Sequence, residues 1–425
     1  MRRINISNKF LQLLILLVAL LISNCLPIST STSSPVPTLS PIPNPTNIST
    51  DIPMPTKNPD LTHLTTNCVA ILDAPPKDVG LRNSLILSLS NTASEGYIFN
   101  LETEEKLSLR IEPGNDNLIV SPSMQKIAFI NYDTEELVIV DTDGKELETV
   151  PGFDGHFSLI KWLDNKNIAI DKANDKEPPF YHHSLLVFNT FTGARKEFHI
   201  EDFPNANNEY PYYRVFPNTQ LTKVIYPIHG NANPASGYDG SPYDGSPIVL
   251  WDTQSGSEIK RIYFGDSFLW SSNGTKLLLI APVKFDEFVN FSDDLPYAGG
   301  DEIFIINSKG EMERLTYLTT KYEMGLSVAS SWSPTEGYIV LDTYNKNNPD
   351  FGLSRLNINT GEITNYCIHG DWGGAFWSPD ENQIAFTQWD DSNSSKPKVY
   401  ILDLEKNLAF QIADDAIVSG WVINK

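Results

Sequence analysis

The chain has 425 residues, 53 acidic side chains against 31 basic ones for a net charge of −22, and three cysteines. A surface of that charge repels phosphate backbones and anionic headgroups, which argues against a nucleic-acid partner. The length would suit two or three average domains, but repeat folds break that expectation, and the repeats described below point to one large domain.

Residues 1–24 read as an export signal, with a basic start at Arg2 and Arg3 and an apolar run from Phe10 to Ile22 that is short for a membrane span. The segment Leu21-Ile22-Ser23-Asn24-Cys25 resembles the lipobox of bacterial lipoproteins. That resemblance implies diacylation of Cys25 and attachment to a membrane through the lipid. An uncleaved anchor and plain secretion are the alternatives, and all three place the body of the protein outside the cytoplasm. Residues 25–66 are rich in Pro, Ser and Thr, as in Pro41-Ile42-Pro43-Asn44-Pro45, and carry no helix or strand period. Such chain reads as a disordered stalk, extending about 3.1 Å per residue where it is polyproline-like.

From 67 to 425 two features recur. The first is an apolar strand ending in a Trp-Ser-Pro type turn followed by a second apolar strand: Val120-Ser121-Pro122 before Ile127-Ala128-Phe129, Trp270-Ser271-Ser272 before Leu277-Leu278-Leu279, Trp332-Ser333-Pro334 before Tyr338-Ile339-Val340, and Trp377-Ser378-Pro379 before Ile384-Ala385-Phe386. Looser copies begin at Trp162 and Phe216, and Trp421 stands one repeat beyond Trp377. The second is a strand running into Asp or Asn and a short turn, at Asn100, Asp141, Asn189, Asp252, Asn307, Asn357 and Asp403. Gly144, Gly193, Gly256, Gly310 and Gly361 sit where such turns need positive φ. Together they make four strands per unit, which is one blade of an all-β propeller. The first unit lacks a Trp strand and the last Trp strand, Ile417 to Val422, lacks a unit, so the C-terminal strand is expected to close blade 1 of a seven-bladed ring. Six or eight blades stay open, as does a strand near Cys68 to Leu72.

These units resemble the TolB-type and WD-like propeller repeats of bacteria over about residues 81–425, most closely from Trp377 to Phe386, where Glu381 replaces the usual Gly. The resemblance implies a propeller and says little about ligand. Gly-x-Ser-x-Gly, His-Glu-x-x-His and phosphate-loop motifs do not occur. The reading is therefore a non-catalytic binding or scaffold lipoprotein with a glycan, peptide or envelope-protein partner. A metal-assisted lyase or hydrolase and a structural envelope-assembly protein are the alternatives.

Insertions are expected between the second and third strands, over Asp171 to Ser184, Pro227 to Pro247, Ala281 to Asp301, Thr343 to Gly352 and Gln388 to Lys398. They would crown one rim, and their aromatic and acidic residues form the candidate binding set: Tyr238, Asp239, Tyr243, Asp244, Asp286, Glu287, Asp293, Asp294, Trp389 and Asp390. Aromatic faces beside carboxylates suit sugars, cationic peptides or Ca²⁺, while solvated turns share the same composition. His156 and His369 on links between blades, with His182, His183 and His229 on insertions, are the candidates for a transition metal, though no ligand spacing supports one. No other cofactor is expected. With Cys25 lipidated, Cys68 and Cys367 remain either for one disulfide or as two buried thiols.

Overall fold

A computed structural model of the chain describes residues 63–89, 96–109, 118–154, 156–174, 182–199, 215–227, 247–263, 267–282, 301–318, 325–344, 352–369, 372–389 and 396–424. Cys25 and the signal segment lie outside the described residues. The strands all fall within the unit Pro55–Lys425.

The described strands form seven sheets, each built on an antiparallel four-stranded blade, and in blades 2 to 7 the chain order of those four strands is also their spatial order from the inside outward. Blades 2 to 7 begin with the inner strands Ile119–Val120, Phe157–Trp162, Phe216–Pro217, Ser267–Trp270, Gly325–Trp332 and Trp372–Trp377. The second and third strands read as unbroken apolar runs because both of their faces are covered by neighbouring blades. Ile127 to Ile130, Ile168 to Ile170 and Leu277 to Ile280 are all buried. Blade 1 is completed by Ala416–Val422 paired to Ser84–Leu89, with Trp421 opposite Leu85 and Val422 opposite Ser84. The ring is thus closed by the C-terminal strand, as the repeat pattern predicts.

The two recurring motifs work through side chains that bond to the backbone of their own turns. Ser121, Ser271, Ser333 and Ser378 are buried, and each hydroxyl accepts the backbone N–H five residues on, at 2.9 to 3.2 Å. Asn218 plays this part in blade 4, accepting from the Lys223 N–H at 3.0 Å. This puts Pro217, rather than Phe216, at the Trp position of that blade. In the outer hairpins the carboxylate or amide oxygen of Asn100, Asp141, Asn189, Asp252, Asn307, Asn357 and Asp403 accepts one or two N–H groups of its turn. The glycines expected at positive φ in five of these turns are there, and Glu104 and Asn407 take the same conformation in the other two.

Each tryptophan that ends an inner strand is a latch between blades. The indole N–H of Trp162, Trp270, Trp332, Trp377 and Trp421 donates to the carbonyl of Ile119, Phe216, Leu269, Ser331 and Phe376, which lies on the inner strand of the preceding blade. Val120 and Pro217 cannot do this, so the junctions of blades 1 with 2 and 3 with 4 lack the bond. Glu381 sits at φ 61, a conformation that costs a non-glycine residue about 1 kcal/mol. Its carboxylate recovers that by accepting from the Thr335 N–H and, at 2.9 Å, from the Thr335 hydroxyl in the turn of blade 6. Glu336, at the same place one blade earlier, accepts from the Asn273 N–H at 2.6 Å.

Blades 6 and 7 each carry a fifth, outermost strand: the one on blade 7 is the strand left open near Cys68 to Leu72, while the one on blade 6 has no counterpart in the sequence pattern. His63–Thr66 runs parallel to Glu362–Asn365, and Ala70–Leu72 runs parallel to Leu408–Asp414. The first described strand therefore lies inside the segment expected to be stalk. Between the two strands the chain steps from one blade to the next, with Asn67 and Val69 donating to the carbonyls of Asn365 and Tyr366. There Cys68 and Cys367 are joined by a disulfide, their Cα atoms 4.8 Å apart. Blade 7 does separate blade 6 from blade 1, but the N-terminal segment passes round the outside of both, which brings the two sulfurs together.

Candidate functional site

In every blade the turns after the first and third strands fall on one face. The connection from second to third strand, and the link to the next blade, fall on the other. The first face is made of the short hydrogen-bonded turns described above. On the second face the strands end at Asn174, Pro227, Pro282, Tyr344 and Gln388 and resume at His182, Pro247, Asp301, Leu353 and Lys398. The insertions therefore all leave from one rim, each a few residues narrower than the sequence pattern suggests because the strand ladders run on past the apolar core.

Of the candidate rim residues, Tyr238, Asp239, Tyr243, Asp244, Asp286, Glu287, Asp293, Asp294 and Asp390 lie outside the described residues. Trp389 is half-buried and follows the second strand of blade 7. Its ring covers the backbone of Gly373 on the inner strand, where an added Cβ would come within 2.6 Å of the indole.

The candidate histidines among the described residues fall in two places. His182 and His183 belong to a strand rather than a loop, opposite Asn174 and Ala173, and the Ala173 N–H donates to the carbonyl of His156. Those three backbones meet at the rim of blade 3, whereas His369 lies on the link between blades 6 and 7 and its carbonyl accepts from the Gln388 amide. His229 lies outside the described residues. Among the described residues no group of three His, Cys, Asp or Glu side chains is placed to hold a metal ion.

The feature that the sequence pattern misses is the central channel. It is a cavity of about 680 Å³ lined mainly by inner-strand residues, including Ile119, Val120, Trp162, Trp270, Trp332, Phe376, Trp377, Val418 and Trp421, together with Ser88, Ser271, Ser331 and Ser419. Among the described residues one lining side chain is charged, that of Lys161 on the inner strand of blade 3. Lys161 stands directly before the Trp position. The same position in the other blades holds Gly420, Ile119, Phe216, Leu269, Ser331 and Phe376. A register shift between Leu159 and Lys161 marks a bulge at Ile160, a device that re-aims the side chain beside it. Burial pushes the Lys161 amine down to about 8. Aligning the repeats on their turns would have exposed this lone cation, but an isolated Lys before a Trp carries no signal by itself.

No protein-family model matches the chain, and no curated protein matches its sequence. Solved structures with a similar fold include a hypothetical selenium-binding protein from Sulfolobus tokodaii, 13% identical over 81% of this chain and 93% of that one, with a TM-score of 0.47. TolB from Acinetobacter baumannii is 12% identical over 87% and 98%, with a TM-score of 0.41. An oligogalacturonate lyase in complex with manganese is 14% identical over 75% and 70%, with a TM-score of 0.40. The seven sheets of this chain, closed into a ring by its C-terminal strand, are themselves the ground for describing it as a seven-bladed β-propeller.

Proposed function

We propose that this protein is an exported binding platform, anchored through a lipid on Cys25, lifted on the Pro-rich segment before residue 63, and presenting the insertion-bearing rim of its propeller to a protein or glycan of the cell envelope. The observation that carries the reading is the contrast between the two faces. One consists of turns closed by their own side chains, while the other receives every long connection, and binding residues concentrate on loops held by a rigid scaffold. The Cys68–Cys367 disulfide supports the location, because such bonds persist in oxidising compartments outside the cytoplasm. The acidic composition supports a partner that is neutral or cationic.

The test has two arms. Mass spectrometry of membrane-extracted protein should find a diacylated Cys25; an unmodified Cys25 rejects the anchor. The unit Pro55–Lys425, immobilised, should retain a glycan or envelope protein from extracts and lose it when 228–246 is replaced by a Gly-Ser linker. Equal capture by a variant altered instead in the turn Leu404 to Asn407 is expected. Loss of capture in that turn variant alone would assign binding to the opposite face.

A further inference from the structure

We propose that the central channel binds an organic monocarboxylate, one anionic head on an apolar body, with Lys161 as its counter-ion. This site is independent of whatever the rim binds. A cavity of about 680 Å³ is the size of a small-molecule site. Its wall is mostly tryptophan, phenylalanine and aliphatic surface, which suits an apolar body, and its single cation matches a single negative charge. A second charge on the ligand would meet only apolar wall and serines, and would be buried without compensation.

Lys161 has no ion pair or hydrogen bond among the described residues, so its burial is uncompensated within them, and the corresponding position is filled without charge in the other six blades. The charged groups on neighbouring elements are engaged elsewhere. On the paired strand Asn167–Asn174, Asp171 and Lys172 stand opposite Ser158 and Phe157, at the far end from Lys161 and its partner Ala169. Lys126 of blade 2 donates to the carbonyl of Asn165 at 3.3 Å. Asp164, in the turn after Trp162, accepts from the N–H groups of Lys166 and Asn167. Among the described residues none of the channel residues from blades 1, 2, 4, 5, 6 and 7 is titratable.

The net charge of −22 opposes an incoming anion at long range. Salt screens that repulsion, whereas it screens the buried pair much less. Added salt should therefore leave binding intact or tighten it, the reverse of a surface ion pair.

The experiment is calorimetric titration of the unit Pro55–Lys425, which contains all seven sheets and the disulfide, with octanoate as the probe. One octanoate should bind per chain, with uptake of about half a proton at pH 8 and an affinity about tenfold weaker at pH 9.5 than at pH 7, because the ligand favours the charged amine. Lys161→Met, checked for folding by circular dichroism, should lower octanoate affinity about tenfold or more while leaving 1-octanol binding unchanged or tighter. Lys161→Arg should bind octanoate within about threefold of the wild type yet lose the pH dependence, since a guanidinium does not titrate in this range. Absence of saturable binding up to about 10 mM octanoate overturns the proposal. So does equal affinity in Lys161→Met, or 1-octanol binding to the wild type as tightly as octanoate. Inorganic phosphate displacing octanoate at equal concentration would overturn the organic-acid assignment.

Discussion

Replacing Trp421 by phenylalanine tests how the ring is held shut. Trp421 is 2% exposed, packs with Leu85, Leu87 and Val418, and makes the shortest of the five inter-blade indole bonds, 2.8 Å to the carbonyl of Phe376. Phenylalanine keeps the apolar ring but cannot donate. The lost bond leaves that carbonyl without its partner, at about 1–3 kcal/mol. The missing volume, about 40 Å³, adds about 1 kcal/mol at ~24 cal/mol per Å³ of cavity. The expected loss is therefore about 2–4 kcal/mol, read as a shift in the urea midpoint followed by circular dichroism. Trp377→Phe is the internal control, because its bond to the Ser331 carbonyl is 3.4 Å long and weaker. It should cost less. A Trp421→Phe loss under about 0.5 kcal/mol, or a larger loss for Trp377→Phe, would refute the latch as the reason for these tryptophans. Deletion from Asp415 onward removes Trp421 together with the whole inner strand of blade 1, and is expected to yield no folded protein.

Two further outcomes follow from the outer strands and the buried charge. In Cys68→Ser, the N-terminal segment is held by parallel ladders of four and three residue pairs and by the Asn67 and Val69 N–H bonds between them. The chain-entropy model sets the stabilisation from this long loop at no more than about 5–6 kcal/mol. Part of it is recovered because the freed segment frays, so amide exchange over His63–Leu72 should accelerate while the blades stay protected; exchange accelerating throughout would show that the segment supports the whole ring. Glu302 is fully buried and binds Arg314 at 3.1 Å, the Thr316 hydroxyl at 2.5 Å and the Leu318 N–H at 3.0 Å, tying the link after blade 5 to its third strand. Glu302→Ala should cost about 3–5 kcal/mol in denaturant melts, since Arg314 loses its partner, and a cost under about 1 kcal/mol would contradict that account.

What could be read from the sequence was the part of the structure held by local chemistry. The Ser, Asp and Asn side chains bond to turns within five residues, so residue type and spacing record the turn directly, and the unpaired first and last repeats imply the closing strand. His63–Thr66 escaped because an edge strand covered on one side needs no apolar alternation, and its burial is indeed slight. A Pro-free run between Pro59 and Pro75 was its only mark. His182 and His183 were assigned to a loop because the ladder that includes them extends beyond the apolar run. The candidate site was less legible than the fold. Lys161 becomes notable only when seven inner strands converge on one channel and its six counterparts prove uncharged.

The stability of the protein around Lys161 should depend on pH in a direction opposite to that of a helpful ion pair. Burial pushes the amine down to about 8 in the folded chain, against about 10.4 for an unperturbed lysine in the unfolded one. Between those values the unfolded chain binds the extra proton, so stability rises with pH across the window, and the destabilisation is fully present below pH 8. Discounted for the solvent that reaches this half-buried side chain, the cost at neutral pH is about 1–2 kcal/mol. Lys161→Met, which removes the titrating group and keeps the length, should then be more stable than the wild type at pH 7, with the advantage shrinking steadily toward pH 9.5. Tyr226 and Tyr366, whose phenols burial pushes up to about 12, act in the other sense. Their contribution is lost as pH rises above 10, but it is common to both proteins and cancels in the difference. A Met variant less stable than the wild type at pH 7, or an advantage that does not change between pH 7 and 9.5, would mean that the amine is already satisfied in the folded chain. A lysine retained at a stability cost, in a cavity that the blades share, is instead what a counter-ion awaiting its ligand requires.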